Sequence, residues 1–322
     1  MKSTICEELG SSSDNYKKFV DPLVTANGQP RASVELRTLD TLWFNTGTLC
    51  NLTCDNCYIE SSPLNDRLVY LTAGEVGVVL DELDKDWDAQ EIGFTGGEPF
   101  MNPDIVSMLR DGMQRGYRVL VLTNAMRPMK KLAESLIFLN ELFPKSFNVR
   151  VSLDHYSPKL HELKRGLNSW NVAMEGLRWL NQNKFHFSIA GRTVWNEEEG
   201  QLRMGYRELF DREDIDLDAF DAEELVLFPE MDITVDVPEI TDACWEALQV
   251  SPNSLMCANS RMVVRRKGAA HLSVYACTLL PYDKRFDLGL NLYEANQAVR
   301  LNHPHCSKFC VLGGGQCTVN SA

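Results

Sequence analysis

The sequence predicts an α/β protein, a parallel sheet with helices outside it followed by a smaller, irregular, cysteine-rich unit. Three observations carry that prediction. Short β-branched or aromatic runs alternate with helical stretches at the length of a β-plus-α unit. Apolar residues between those runs recur at spacings of three and four, as one helix face requires. Beyond about Pro229 both patterns stop, and Cys244, Cys257, Cys277, Cys306, Cys310 and Cys317 crowd into irregular chain.

Residues 1–38 are polar, with the run Ser11-Ser12-Ser13-Asp14-Asn15, and read as a weakly ordered arm. Residues 39–230 hold the candidate strands Thr41–Asn45, Glu91–Thr95, Arg118–Thr123, 148–153, 185–191 and 224–228. After the second strand, Asn102 is placed to cap a helix and Pro103 to take its first position. Ile105, Met108, Leu109 and Met113 then share one face, and Gly116 stops the helix. A later helix carries Trp170, Met174, Leu177 and Leu180. Right-handed crossovers allow an open doubly wound sheet or a closed or partly closed barrel. Either way, chemistry belongs at the C-terminal ends of the strands. The unusual residues fall there: Cys50, then Gly96, Gly97 and Glu98, then Asn124, Asp154 and Arg192. Residues 231–322 form the second unit. One motif fails: Asp214, Asp216 and Asp218 alternate like a calcium loop, but Ala219 and Leu225 stand where it needs Gly and Glu. A solvated acidic turn is read there.

The 322 residues are 44% hydrophobic and 24% charged, ordinary globular usage. With 32 Lys+Arg against 45 Asp+Glu, the net charge of −13 speaks against a general nucleic-acid binder. No apolar run approaches the roughly 18–20 residues of a membrane span, and the first residues lack a signal peptide's apolar core. A soluble cytoplasmic protein without membrane or nucleic-acid partners is expected. Ten cysteines, clustered rather than spread, point in a reducing compartment to metal or iron–sulfur ligation before disulfides.

Cys50, Cys54 and Cys57 share one loop at the end of the first strand. Three thiolates can hold three irons of a [4Fe–4S] cluster and leave the fourth open to a non-protein ligand. Zinc is the alternative, although no local His or fourth Cys closes such a site, and buried inert thiols are the bland reading. Thr95-Gly96-Gly97-Glu98-Pro99 ends the next strand, on the same rim. Alone it is a tight turn before a helix; beside the cysteine loop it sets an acidic group and ligand-accessible backbone near the thiols.

The cysteine loop with Tyr58 behind it, and the Gly-Gly-Glu-Pro turn, resemble the two most specific motifs of the radical S-adenosylmethionine (SAM) superfamily. The resemblance covers about residues 42–228. It implies a partial (β/α)6 TIM-like barrel whose cluster binds SAM at its open iron. Cys50, Cys54 and Cys57 would then ligate the cluster, Tyr58 flank the adenine, and Gly96, Gly97 and Glu98 receive the methionyl amine. Ser152 would meet the SAM carboxylate or ribose, Arg192 the carboxylate, and Asp154 and Asn124 would make polar contacts nearby. The stretch from His161 to Gly166 looks like the family's segment ending in Arg-Gly.

The tail is similar to a shortened SPASM or Twitch extension. That likeness implies one auxiliary [4Fe–4S] cluster held by Cys257, Cys277 and two of Cys306, Cys310 and Cys317. A zinc site completed by His303 or His305 is the alternative. Cys6 and Cys244 are read as ordinary thiols, and Arg261, Arg265, Arg266 and Lys267 as a charged hairpin face. The activity implied is reductive cleavage of SAM to a 5′-deoxyadenosyl radical that abstracts hydrogen. An external donor such as a flavodoxin or ferredoxin would supply the electron. About 40 residues precede the first strand, short of a leader-binding domain of roughly 80, which favours a small molecule or short peptide as substrate. The rival is a non-catalytic iron–sulfur or zinc protein serving electron transfer or sensing, which would have no use for a SAM amine site.

Overall fold

The computed structural model describes residues 17–55 and 57–315. A two-residue strand, β1 (Ser33–Val34), precedes the main sheet. That sheet runs through β2 (Thr41–Asn45), β3 (Glu91–Thr95), β4 (Arg118–Thr123), β5 (Phe147–Ser152), β6 (His186–Arg192) and β7 (Leu225–Phe228). Every neighbouring pair among these is parallel. They match the predicted strands to within one residue. Parallel strands covered on both faces read as nearly continuous apolar runs, and β4, Arg-Val-Leu-Val-Leu-Thr, does so.

Helices link the strands: α1 (Ala73–Asp86), α2 (Ile105–Gln114), α3 (Arg127–Lys130), α4 (Ala133–Leu142), α5 (Pro158–Arg165), α6 (Ser169–Gln182) and α7 (Glu199–Glu213). Thr72 and Glu75 close a reciprocal capping box at the start of α1. Helix α2 buries Ile105, Met108, Leu109 and Met113, each such burial stabilising by roughly 1.5–3 kcal/mol. Its N-cap is Asp104, however, not Asn102. The Asn102 amide instead donates to the Thr46 and Leu71 carbonyls, at 3.0 and 2.9 Å, and is buried between them. Trp170, Met174, Leu177 and Leu180 form the buried face of α6 as expected.

The C-terminal region adds to this sheet rather than standing beside it. After α8 (Ala243–Leu248), strand β8 (Ser260–Val264) pairs parallel with β2, and β9 (Ser273–Tyr275) returns antiparallel. The order is β7-β6-β5-β4-β3-β2-β8-β9, an open sheet whose parallel βα units make a partial barrel. Strand β10 (Val299–Arg300) pairs antiparallel with β1. The expectation of a weakly ordered arm over 1–38 is therefore corrected for its described part. Residues from 17 onward are tied down by that pairing and by Arg31, buried against Glu239 at 2.5 Å. The charged hairpin face is corrected too: the hairpin exists, but Arg261 is buried in it. Among the described residues, no helix is long and apolar enough to cross a membrane.

Candidate active site

The C-terminal ends of β2 to β6 open into a cavity of about 150 Å³. Its wall includes Cys50, Cys54, Cys57 and Tyr58, then Thr95, Gly96, Gly97, Asn124, Ser152, Asp154 and Arg192. Seven separately predicted positions of the cysteine loop and strand ends (Tyr58, Gly96, Gly97, Asn124, Ser152, Asp154 and Arg192) thus meet the three thiols in one place. That is what parallel βα units do with residues scattered along a chain.

The cysteine loop and the glycine turn are zipped together. Gly97 N donates to the Gly47 carbonyl at 2.7 Å, and Glu98 N to that of Leu49 at 3.1 Å. A Cβ on Gly97 would lie 2.1 Å from the Leu49 oxygen, and Gly96 has a φ of +148°. Glycine is needed here for backbone to approach backbone as much as for a ligand. Glu98 stands behind the cavity, 2% exposed. Its carboxylate accepts from Thr123 Oγ1 at 2.7 Å, Asn124 N at 2.9 Å and Phe100 N at 3.3 Å. Burial still raises its pKa to about 7 against those bonds.

Asn124 is aimed by that carboxylate. Its amide Nδ2 donates to Asn51 Oδ1 at 2.9 Å and lies 3.9 Å from Cys50 Sγ. Cys50 is buried, and burial, with Glu98 and the two sister thiols adding to it, pushes its thiol up to about 12. Burial likewise raises Cys54. A thiolate at these positions needs cationic compensation, which iron supplies. The donor set, soft thiols around a partly apolar cavity, fits an iron–sulfur cluster.

Two arginines hold Asp154. Arg165 Nη2 lies 2.9 Å from Asp154 Oδ1, and Arg192 Nε 3.6 Å from it. Burial alone would raise the Asp154 pKa; the two guanidiniums bring it below the ordinary value. Arg192 also approaches Glu230 at 3.6 Å, so its charge is shared between two carboxylates. Arg165 lines the cavity with Nε buried and without a hydrogen-bond partner. It is absent from the candidates at the strand ends because it closes α5; the Arg-Gly pair at 165–166 is its signal in the sequence.

The tail completes the wall with Leu279 and Phe309, the latter stacked on Phe228 at 5.7 Å. Cys257 and Cys277 both act electrostatically on Cys306, whose pKa burial and those two thiols raise. Cys306 therefore lies within electrostatic reach of two other predicted tail thiols. Cys310 sits four residues on in the π-helical segment Cys306–Leu312, and Cys317, like Cys6, lies outside the described residues. The rings of His303 and His305 lie 4.6 Å apart, tilted at 60° to each other. Among the described residues, no three Cys, His, Asp or Glu side chains are grouped as ligands of a single metal ion. A cubane makes a different demand, since each thiolate takes a separate iron at a separate corner.

Residues 44–203 match the Radical SAM superfamily. The chain carries a radical SAM domain. Such domains use a [4Fe–4S] cluster and SAM. An S-adenosylmethionine-dependent nucleotide dehydratase of Selenomonas ruminantium is 26% identical over 110 residues, 34% of this chain and 37% of that protein. A probable GTP 3′,8-cyclase of Saccharolobus islandicus is 25% identical over 149 residues, 44% of each. The matches thus span less than half the length of these curated relatives. In fold, the chain is similar to Streptococcus suis SuiB bound to S-adenosylmethionine, with a TM-score of 0.56 at 13% identity over 79% of this chain and 63% of SuiB. SuiB has also been solved bound to its precursor peptide SuiA.

Proposed function

We propose that Cys50, Cys54 and Cys57 hold a [4Fe–4S] cluster with one open iron, and that SAM binds across the cavity. When bound and reduced by one electron from a flavodoxin- or ferredoxin-like donor, the pair supplies methionine and a 5′-deoxyadenosyl radical that takes hydrogen from substrate. The observation that supports this best is the meeting of three thiols, two glycines and an arginine with an unpartnered Nε in one wall. A bare iron–sulfur carrier needs only the thiols.

The chain's own residues orient and exclude. The turn at Gly96, Gly97 and Glu98 receives the methionyl amine, with the glycines at the cavity face and Glu98 behind them holding Thr123 and Asn124. Arg165, with Ser152 in the same wall, receives the carboxylate; a guanidinium suits that geometry. Asp154 holds Arg165 and Arg192 in the same wall, and Tyr58 flanks the adenine. Residues 231–322 act as a SPASM/Twitch-like extension carrying one auxiliary [4Fe–4S] cluster, and residues 39–230 as the catalytic unit behind the short segment 1–38. The cellular setting is the cytoplasm.

The substrate is a small molecule or short peptide, and the outcome is oxidation or bond formation. Arg150, Arg165 and Arg192 in the wall, against Asp154 and the Glu230 that shares Arg192, leave the balance positive and favour an anionic substrate. The nucleotide dehydratase, the GTP cyclase and the SuiB–SuiA complex set the classes to assay first: nucleotides, then short acidic peptides. Anaerobic reconstitution with iron and sulfide, followed by quantifying 5′-deoxyadenosine under dithionite, tests the chemistry. A fully loaded protein that forms none would end this reading.

A further inference from the structure

The tail buries a cation without a carboxylate. Arg261, the second residue of β8, is 1% exposed. Its Nε donates to the Ala295 carbonyl at 3.0 Å, and Nη2 to that of Gln297 at 3.0 Å. Its Nη1 donates to the carbonyls of Cys257 and Ser260, at 2.7 and 2.8 Å. Those acceptors satisfy the donors but are neutral, so the charge itself stays uncompensated. An unpaired buried charge is among the costliest features a fold can carry. Arg31, equally buried, shows the usual solution in its ion pair with Glu239. Among the described residues, the acidic groups acting on Arg261 are two thiols, Cys257 and Cys277. Both of them also act on Cys306.

We infer that Arg261 is the buried counter-charge of an anionic, thiolate-ligated cluster in the tail, and that it sets that cluster's reduction potential. This rests on the auxiliary-cluster reading above. A cluster bound by four thiolates carries net negative charge, and reduction adds one more. A fixed cation beside it favours the reduced state and raises the potential. Arginine suits this role, because its charge is permanent and its planar fork is pinned by the carbonyls of residues 257, 260, 295 and 297. It is a positioning residue, one step removed from the iron.

The test uses the full chain carrying Cys50→Ala, Cys54→Ala and Cys57→Ala together, so that only the tail can hold iron and sulfide. Potentials are read by EPR under controlled reduction. Arg261→Gln should shift the midpoint to more negative values, lowering the reduced-to-oxidised ratio at fixed potential about tenfold, which is about 59 mV for one electron. Arg261→Lys, which keeps the charge, should stay near the parent. Loss of iron in Arg261→Gln but not in Arg261→Lys also supports the inference. An unchanged potential in an iron-loaded Arg261→Gln, or loss of iron in both variants, makes Arg261 a backbone strut and overturns it. If the triple variant with Arg261 intact holds no iron and sulfide, the auxiliary-cluster reading fails first and takes this one with it.

Discussion

Asp154 Oδ1 lies 2.9 Å from Arg165 Nη2, and Arg165, a residue of the cavity wall, keeps a buried Nε without a hydrogen-bond partner. An unmet buried donor on a charged group is expensive unless a ligand meets it. Arg165→Gln should therefore weaken SAM binding by roughly 1.5–3 kcal/mol, the range for hydrogen bonds to charged groups. Equilibrium dialysis with reconstituted protein reads this directly. Unchanged affinity would leave Arg165 a role only in holding Asp154.

Glu98 makes a pH prediction. Burial lifts its folded pKa to about 7 from an ordinary 4.5, so the native state binds the proton more tightly than the unfolded chain. The stability it contributes is complete below 4.5 and lost as pH climbs through 7. Glu98→Gln should remove that loss, gaining on the order of 1–3 kcal/mol on the parent between pH 5 and 8. Denaturant midpoints at both pH values, taken before reconstitution, would show it. A difference between variant and parent that is the same at pH 5 and pH 8 would contradict it.

Gly97→Ala should unseat the cysteine loop. The new Cβ would meet the Leu49 oxygen at 2.1 Å, and backbone cannot swing aside as a side chain can. Overpacking of this kind costs about 1–3 kcal/mol, and here the displaced chain carries Cys50. Both the melting temperature and the iron held at the first site should fall. Normal iron content with normal melting would show that the two loops can separate freely.

Cys50→Ala, Cys54→Ala and Cys57→Ala together should abolish 5′-deoxyadenosine formation. Each thiol lines the cavity, and no other described cysteine does. A triple variant still producing it at the parent rate would remove the cluster from this site.

Much of this was legible in the chain. The strands of the barrel declare themselves because parallel strands are apolar throughout, and the rim follows from where each strand ends. Three things were not legible. Arg165 belongs to a helix end, and its reach into the cavity depends on how α5 returns over β5. The orientation of Glu98 depends on Thr123 and Asn124, whose places follow only from the β3–β4 register. The burial of Arg261 was hidden for a similar reason. A basic run suggests a solvated face unless the strand beside it is known, and that strand is β2, roughly 200 residues earlier in the chain.

Phe309 joins the tail to the active site. It is 3% exposed, stacks on Phe228 at the end of β7, and lies in the cavity wall three residues after Cys306. Leu279, two residues after Cys277, takes part in the same wall. The two tail thiols are therefore anchored close to the cavity wall. Phe309→Ala should cost about 3–5 kcal/mol as a large-to-small core change. It should also weaken SAM binding several-fold without removing a polar contact, because water admitted to the cavity weakens the electrostatic contacts made inside it. Phe309→Leu, which keeps most of the apolar bulk, should restore much of both. A Phe309→Ala protein that melts lower yet binds SAM as tightly as the parent would confine the tail to packing and detach it from the site.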